Sequence, residues 1–119
     1  MIFLENKPII VKVLAEHGKV SDEIDWNVYK FLINERGPGY TACSPSLVEL
    51  EGGKKAIKFL IDLTAVLDDG NLYGYGIIGE IYVDFETGQV IWATPKDVLI
   101  KEAEKLMKIA KPQLRPKRY

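Results

Sequence analysis

Alternating apolar and polar residues dominate the second half of the chain. In residues 79–92 this alternation lies on both sides of a Glu-Thr-Gly sequence at 86–88, which predicts an antiparallel β-hairpin. Apolar side chains also occupy the odd positions of residues 72–84, which predicts a long strand. The Asp-Asp-Gly-Asn sequence at 68–71 is typical of a hairpin turn, so the strand before it, 54–67, should pair with 72–84.

Residues 54–67 fit two patterns. Lys54, Lys58 and Asp62 lie four apart, as on a helix, whereas the odd positions 57 to 67 are apolar, as on a strand. A helix would place Lys54 and Lys55 at its positive end and two aspartates at its negative end, and both placements are unfavourable. We therefore predict a strand.

Two helices are predicted in the first third of the chain. Apolar residues recur at helical spacing between Pro8 and Gly18, which predicts a short first helix capped by Asn6. A second helix is predicted over 22–36, because Ser21 can cap its first turn and acidic residues follow at the positive end of the helix dipole. One face of this second helix is apolar and should be buried, with Ile24, Val28, Phe31 and Leu32.

The last helix is predicted to follow Thr94 as its cap, with Pro95 in its first turn, and to end before Pro112. Its buried face would carry Leu99, Ala103, Leu106, Met107 and Ala110. Helices, then strands, then a closing helix predict an α+β fold: an antiparallel four-stranded meander with helices packed on one face. Residues 1–111 would form this single domain, and residues 112–119, interrupted by two prolines, a flexible basic tail.

Composition narrows the class of protein. Hydrophobic residues make up 47% and charged residues 28% of 119 residues, which argues against disorder, and no apolar run is long enough to span a membrane. The N-terminal sequence has neither a basic leader nor a long apolar segment, and the single cysteine cannot form an internal disulfide. Both observations lead us to expect a cytoplasmic protein.

Gly74, Gly76 and Gly79 match the G-x-G-x-x-G pattern of dinucleotide-binding loops. In those loops the glycines stand where a strand turns into a helix, but here the strand alternation continues beyond Gly79. We therefore interpret them as glycines that let a long strand bend or let a helix approach closely, and no cofactor is predicted.

The glycine- and proline-rich residues 37–45 are the best candidate for a functional loop. Cys43 is the strongest potential nucleophile, and His17 is the one histidine that could activate it, although a lone cysteine is more often an inert small hydrophobe. No catalytic residue and no metal site are assigned. The candidate ligand-binding residues are Tyr40, Cys43, Tyr73 and Tyr75.

Two segments resemble known families. Residues 80–91, Glu-Ile-Tyr-Val-Asp-Phe-Glu-Thr-Gly-Gln-Val-Ile, resemble the closing hairpin of PepSY-like domains, which implies a helix packed on an antiparallel sheet and a non-catalytic binding or inhibitory role. Residues 11–32 resemble the opening of winged-helix DNA-binding domains, but the gap between Ile24 and Val28 is too short to hold two further helices.

These observations predict a small non-enzymatic binding module for a protein or a small apolar ligand. The alternative is a nucleic-acid-binding regulator that uses the helical segment 8–36 and the basic tail. This alternative is less favoured because residues 8–36 are not clearly basic, as a surface that contacts phosphates should be. An exposed edge strand could pair with a second copy, so a homodimer is a further expectation.

Overall fold

The computed structural model describes residues 4–16 and 18–116. Their secondary structure is α+β, as predicted, but the sheet has six strands rather than four. In chain order the elements are β1 (Ile10–Glu16), α1 (Asp22–Phe31) continued by a π-helical turn (Leu32–Arg36), β2 (Tyr40–Leu50), β3 (Lys55–Val66), β4 (Leu72–Asp84), β5 (Val90–Ala93), α2 (Lys96–Ile109) and β6 (Gln113–Leu114).

The sheet is a curled antiparallel meander with strand order β1-β2-β3-β4-β5, and the short β6 pairs with β4. The predicted strands 54–67 and 72–84 are confirmed as β3 and β4. Their register places Phe59 opposite Ile81 and Ile57 opposite Val83, so the odd-numbered side chains share one face over this part of the pair. Two register shifts before Gly79 interrupt the alternation, so Ile78 is buried and Ile77, an odd position expected to be buried, is 49% exposed.

The predicted first helix is wrong. Residues 10–16 form β1, which pairs with β2 through Ile10 opposite Leu50 and Val13 opposite Val48. The β-branched residues of this segment fit a pleated strand better than a helix, and the neighbouring edge of β2 supplies backbone partners that a local pattern cannot show. The predicted loop 37–45 is also shorter than expected, because β2 already begins at Tyr40.

Both predicted later helices form, with one difference in capping. Ser21 caps α1 as expected, since its Oγ accepts a hydrogen bond from the Ile24 backbone N–H at 3.2 Å. Thr94 does not cap α2. Its Oγ1 instead accepts a bond from the Glu80 backbone N–H at 2.9 Å and ties the start of the helix to β4.

The main core cluster joins side chains of both helices with one face of β3 and β4. Val28 and Leu32 from the first helical segment and Leu99 from α2 share one cluster with Ile57, Phe59, Ile61, Leu63, Ile78, Ile81, Val83 and Ala93. Ala103 and Leu106 pack against this cluster, as predicted, whereas Met107 is exposed rather than buried.

The glycines of β4 explain how α2 reaches the sheet. A Cβ on Gly79 would lie 2.7 Å from Leu99 Cδ2 and 2.8 Å from Thr94 Oγ1, and a Cβ on Gly76 would lie 3.1 Å from Leu106 Cδ2. Gly76 also has φ +140°, a conformation that disfavours other residues. Gly76 and Gly79 therefore leave room for side chains of α2 and for Thr94, as one of the two roles predicted for the three glycines requires, whereas Gly74 lies against Arg115 and Asp62.

Terminal segments lie on the opposite face of the sheet. A second cluster there contains Val48, Leu50, Ala56, Tyr82, Ile91 and Trp92. Residues 4–9 connect both edges of the sheet, since the Leu4 N–H donates to the Ile91 carbonyl at 2.7 Å and the Ile9 carbonyl accepts from Glu51 at 2.9 Å. Among the helices described, none has the length and apolar character needed to cross a membrane.

Candidate functional site

Helix α1 and the π-helical turn after it expose a row of large apolar side chains. Trp26 is 56%, Tyr29 53% and Ile33 47% exposed, and they follow one another at spacings of three and four residues. The Trp26 and Tyr29 rings stack with centroids 5.5 Å apart, and Lys30 Nζ lies 5.8 Å from the centre of the Trp26 ring. We call Trp26, Tyr29 and Ile33 the aromatic face.

This face is rigidly placed because the rest of the helix is attached to the sheet. Val28 and Leu32 are each only 2% exposed within the main core. Asn27 Nδ2 donates to the Gly88 carbonyl in the turn between β4 and β5 at 2.9 Å, and Arg36 Nε donates to the Thr94 carbonyl at 2.9 Å. The aromatic face therefore points away from the core on a segment that is bonded to the sheet and its turns at Asn27 and at Arg36.

Two clefts continue the aromatic face towards the start of the helix. The first, of about 400 Å³, is lined by Asp22, Asp25, Trp26 and Tyr29. The second, of about 500 Å³, shares the two aspartates and extends to β2; its other walls are Gly18, Lys19, Val20, Ala42, Cys43, Ser44, Pro45 and Phe59. The two aspartates therefore lie between an apolar surface and a mixed cleft.

A bulge in β2 forms the far wall of the larger cleft. Cys43 lies opposite Leu60 and Ser46 opposite Lys58, so β2 has one more residue than β3 in this interval. Ser44 within the bulge has φ +51°, a left-handed conformation that is uncommon for residues other than glycine. The strand is thus bent outwards beside the start of α1.

Cys43 is not an activated nucleophile in this cleft. Burial raises the pKa of its thiol, and the opposing hydrogen bond with Ser44 does not reverse that shift. A reactive cysteine needs the opposite shift, towards the thiolate. His17, the predicted activating base, lies outside the described residues. The geometry of the cleft therefore supports binding rather than covalent catalysis.

The four predicted ligand-binding residues do not meet in one site. Cys43 lines the larger cleft, but Tyr40 and Tyr75 pack at the margin of the main core. The Tyr73 hydroxyl donates to the Asp69 carboxylate in the turn before β4. None of the three tyrosines lines the two clefts beside α1.

The helical spacing of Trp26 and Tyr29 in the sequence could have predicted the aromatic face, although their residue type alone could not. On the strands, Tyr82 and Trp92 are buried, at 0% and 8% exposed. Trp26 and Tyr29 belong to a helix instead. A turn of 100° per residue places them opposite the buried stripe of that helix, and this spacing alone predicts their exposure.

Known proteins give no further guide to this site. Comparisons with protein-family models, with curated proteins and with solved structures find no match. Across residues 4–16 and 18–116, no three His, Cys, Asp or Glu side chains are grouped so that they could hold a metal ion. The function must therefore be inferred from the aromatic face and its clefts.

Proposed function

We propose that this protein is a non-enzymatic binding module that uses the aromatic face of α1 to bind a basic, apolar segment of another protein. The supporting observation is the row Trp26, Tyr29 and Ile33, whose side chains are about half exposed on a helix that is otherwise fixed to the sheet. A contiguous exposed row of this kind is typical of interaction surfaces.

The residue types favour a protein partner. Trp and Tyr are the residues that most often carry the binding energy of protein interfaces, because each buries a large area at a small cost in side-chain entropy. In the Trp26–Tyr29 pair the rings are already stacked, so little further ordering is needed when a partner covers them.

The charges around the aromatic face indicate the chemistry of the partner. Asp22 and Asp25 line both adjoining clefts, and Glu23 lies between them in sequence. Carboxylates at this position attract lysine or arginine side chains and repel phosphate groups, which argues against a nucleic-acid ligand here. The Lys30 ammonium above Trp26 illustrates that this ring also accepts a cation.

A pair of peptides tests the proposal. One carries alternating leucine and lysine residues, and the other has glutamate in place of every lysine. We expect the basic peptide alone to shift the backbone amide signals of residues 22–33 in a two-dimensional NMR titration. Trp26→Ala should weaken this binding at least tenfold, since loss of a central aromatic contact costs about 2 kcal/mol or more.

Met107→Ala is the matched control, because Met107 on α2 is 57% exposed, nearly the same as Trp26. It should leave peptide affinity unchanged, and both variants should keep the wild-type melting temperature. Equal binding of the acidic peptide would contradict the charge argument. Binding that survives Trp26→Ala would show that the aromatic face is not the contact surface.

A further inference from the structure

A second site lies on the opposite face of the sheet, where a buried carboxylate meets an arginine. Asp62 of β3 is 1% exposed, and its Oδ2 accepts a hydrogen bond from Arg115 Nε at 2.9 Å. Its Oδ1 accepts one from the Gly76 backbone N–H at 3.0 Å. A buried carboxylate is costly without such partners, so the position of Asp62 requires a cation.

Gly74 shapes the space that this cation occupies. A Cβ at Gly74 would overlap both Arg115 Nε and Asp62 Oδ2, so the guanidinium lies directly against the backbone of β4. Any side chain larger than hydrogen would close the space. Asp62 and Gly74 thus form a preformed arginine socket.

The rest of the C-terminal segment pairs with β4 over a short stretch. Gln113 and Leu114 form the two-residue β6 against Gly74 and Tyr73, and the Arg115 N–H donates to the Leu72 carbonyl at 2.9 Å. Both β6 side chains are exposed, and Leu114 is 62% exposed. Residues 113–115 of the predicted flexible tail are therefore attached to the sheet through backbone pairs with β4 and through the Arg115 side chain.

We propose that the arginine socket is an exchangeable binding site for an arginine on an extended strand, and that the C-terminal segment of a second copy fills it when the chain's own segment leaves. An identical segment from another copy has the same arginine and the same backbone groups, so it can reproduce every contact described above. Exchange of a terminal element between identical chains is a low-cost route to a dimer.

Because the C-terminal segment is joined covalently to α2, it competes with the segment of a second copy, and this competition sets the protein concentration at which exchange occurs. The chain's own segment competes at an effective concentration of the order of millimolar, as expected for a short connection. Residues 110–112 join α2 to β6, and Ala110 is already extended. A dimer should therefore accumulate only at high protein concentration in the wild-type protein.

Complementation between two full-length variants tests this site. Arg115→Ala keeps the socket but lacks the arginine, and Asp62→Asn keeps the arginine but lacks the carboxylate. One variant is labelled with ¹⁵N, and native mass spectrometry then separates homodimers from heterodimers. We expect each variant alone to dimerise at least tenfold more weakly than the wild type, and the mixture to give heterodimers with one intact arginine site.

Gly74→Ala provides a second socket variant if Asp62→Asn does not fold. For the wild type, a synthetic peptide of residues 111–119 at millimolar concentration should shift the Gly76 amide signal, whereas the same peptide with Arg115→Ala should not. The peptide with Arg118→Ala should still shift it. The proposal is wrong if Arg115→Ala dimerises like the wild type, if the mixture gives no heterodimer, or if the peptide acts equally with and without Arg115.

Discussion

The two faces of the sheet are covered in different ways. The face that carries Ile57, Phe59 and Ile61 packs against α1 and α2 in one apolar cluster. The opposite face, which carries Lys58 and Asp62, is crossed by residues 4–9 near one end and contacted by residues 113–115 near the other. Side chains of the two helices thus share a cluster with one face, and terminal segments contact the other face.

The chemistry of the two faces differs accordingly. Three ion pairs of the second face join it to terminal segments or to the start of β3: Arg115 with Asp62 at 2.9 Å, Lys54 with Asp84 at 2.7 Å, and Lys7 with Glu80. The first face has the larger apolar cluster, and the second face has a smaller one beside these ion pairs. Hydrophobic burial is worth more than partly exposed ion pairs, so the helix-covered face should supply most of the stability.

The largest effect is expected from Leu99→Ala. Leu99 is completely buried where α2 meets the sheet, so truncation removes apolar contacts and leaves a cavity. We expect the free energy of unfolding to fall by about 2–5 kcal/mol, measured by urea denaturation. The exposed Met107→Ala on the same helix should change it by less than about 0.5 kcal/mol. Similar losses for both variants would mean that α2 is not packed as described.

Gly79→Ala should have the next largest effect. Its new Cβ would lie 2.7 Å from Leu99 Cδ2 and 2.8 Å from Thr94 Oγ1, so the helix or the strand must move. Overpacking of this kind costs about 1–3 kcal/mol. Gly18→Ala is the control, because a Cβ there meets no atom within 4 Å. A melting temperature unchanged by Gly79→Ala would contradict the close approach of α2 to β4.

Local patterns predicted the helix-covered face well. Alternation placed β4 at residues 72–84, the bounds that the structure has, and the helical stripe of α1 identified Val28 and Leu32 as buried. The helical stripe succeeds because one side of α1 faces the core, whereas the alternation of β4 holds only from Gly79 onwards, since register shifts before it bury Ile78 and expose Ile77. The exposed positions Trp26, Tyr29 and Ile33 follow from the same helical spacing once the buried stripe is known.

The second face depends on contacts that a local pattern does not contain. Residues 10–16 fit a helix or a strand by spacing, and only pairing with the distant β2 decides between them. The arginine socket joins Asp62, Gly74 and Arg115, which are far apart in sequence. Sequence alone indicated that Gly74 permits a close approach, but it could not show which group approaches.

The smallest effect on stability is expected when the pH is lowered, and it should arise from ion pairs of the second face. Burial opposes ionisation of Glu80, but hydrogen bonds and charges from Lys7 and Lys58 outweigh it and lower the pKa of this carboxyl below 4.5. The pKa of Asp84 is also lowered, because Lys54 and two backbone N–H groups outweigh its burial. The folded state therefore binds these protons less readily than the unfolded state.

A lowered folded pKa stabilises the protein above the ordinary carboxyl pKa, and this stabilisation is lost as the pH falls through the folded value. We expect the free energy of unfolding, measured by urea denaturation, to decrease between about pH 6 and pH 3. In Glu80→Gln this decrease should be smaller by about 1 kcal/mol. Met107→Ala on the exposed side of α2 removes no titratable group, so it should leave the pH dependence as it is. If the pH profile of Glu80→Gln were as steep as that of Met107→Ala, the ion pairs of Glu80 would not be what attaches the N-terminal segment.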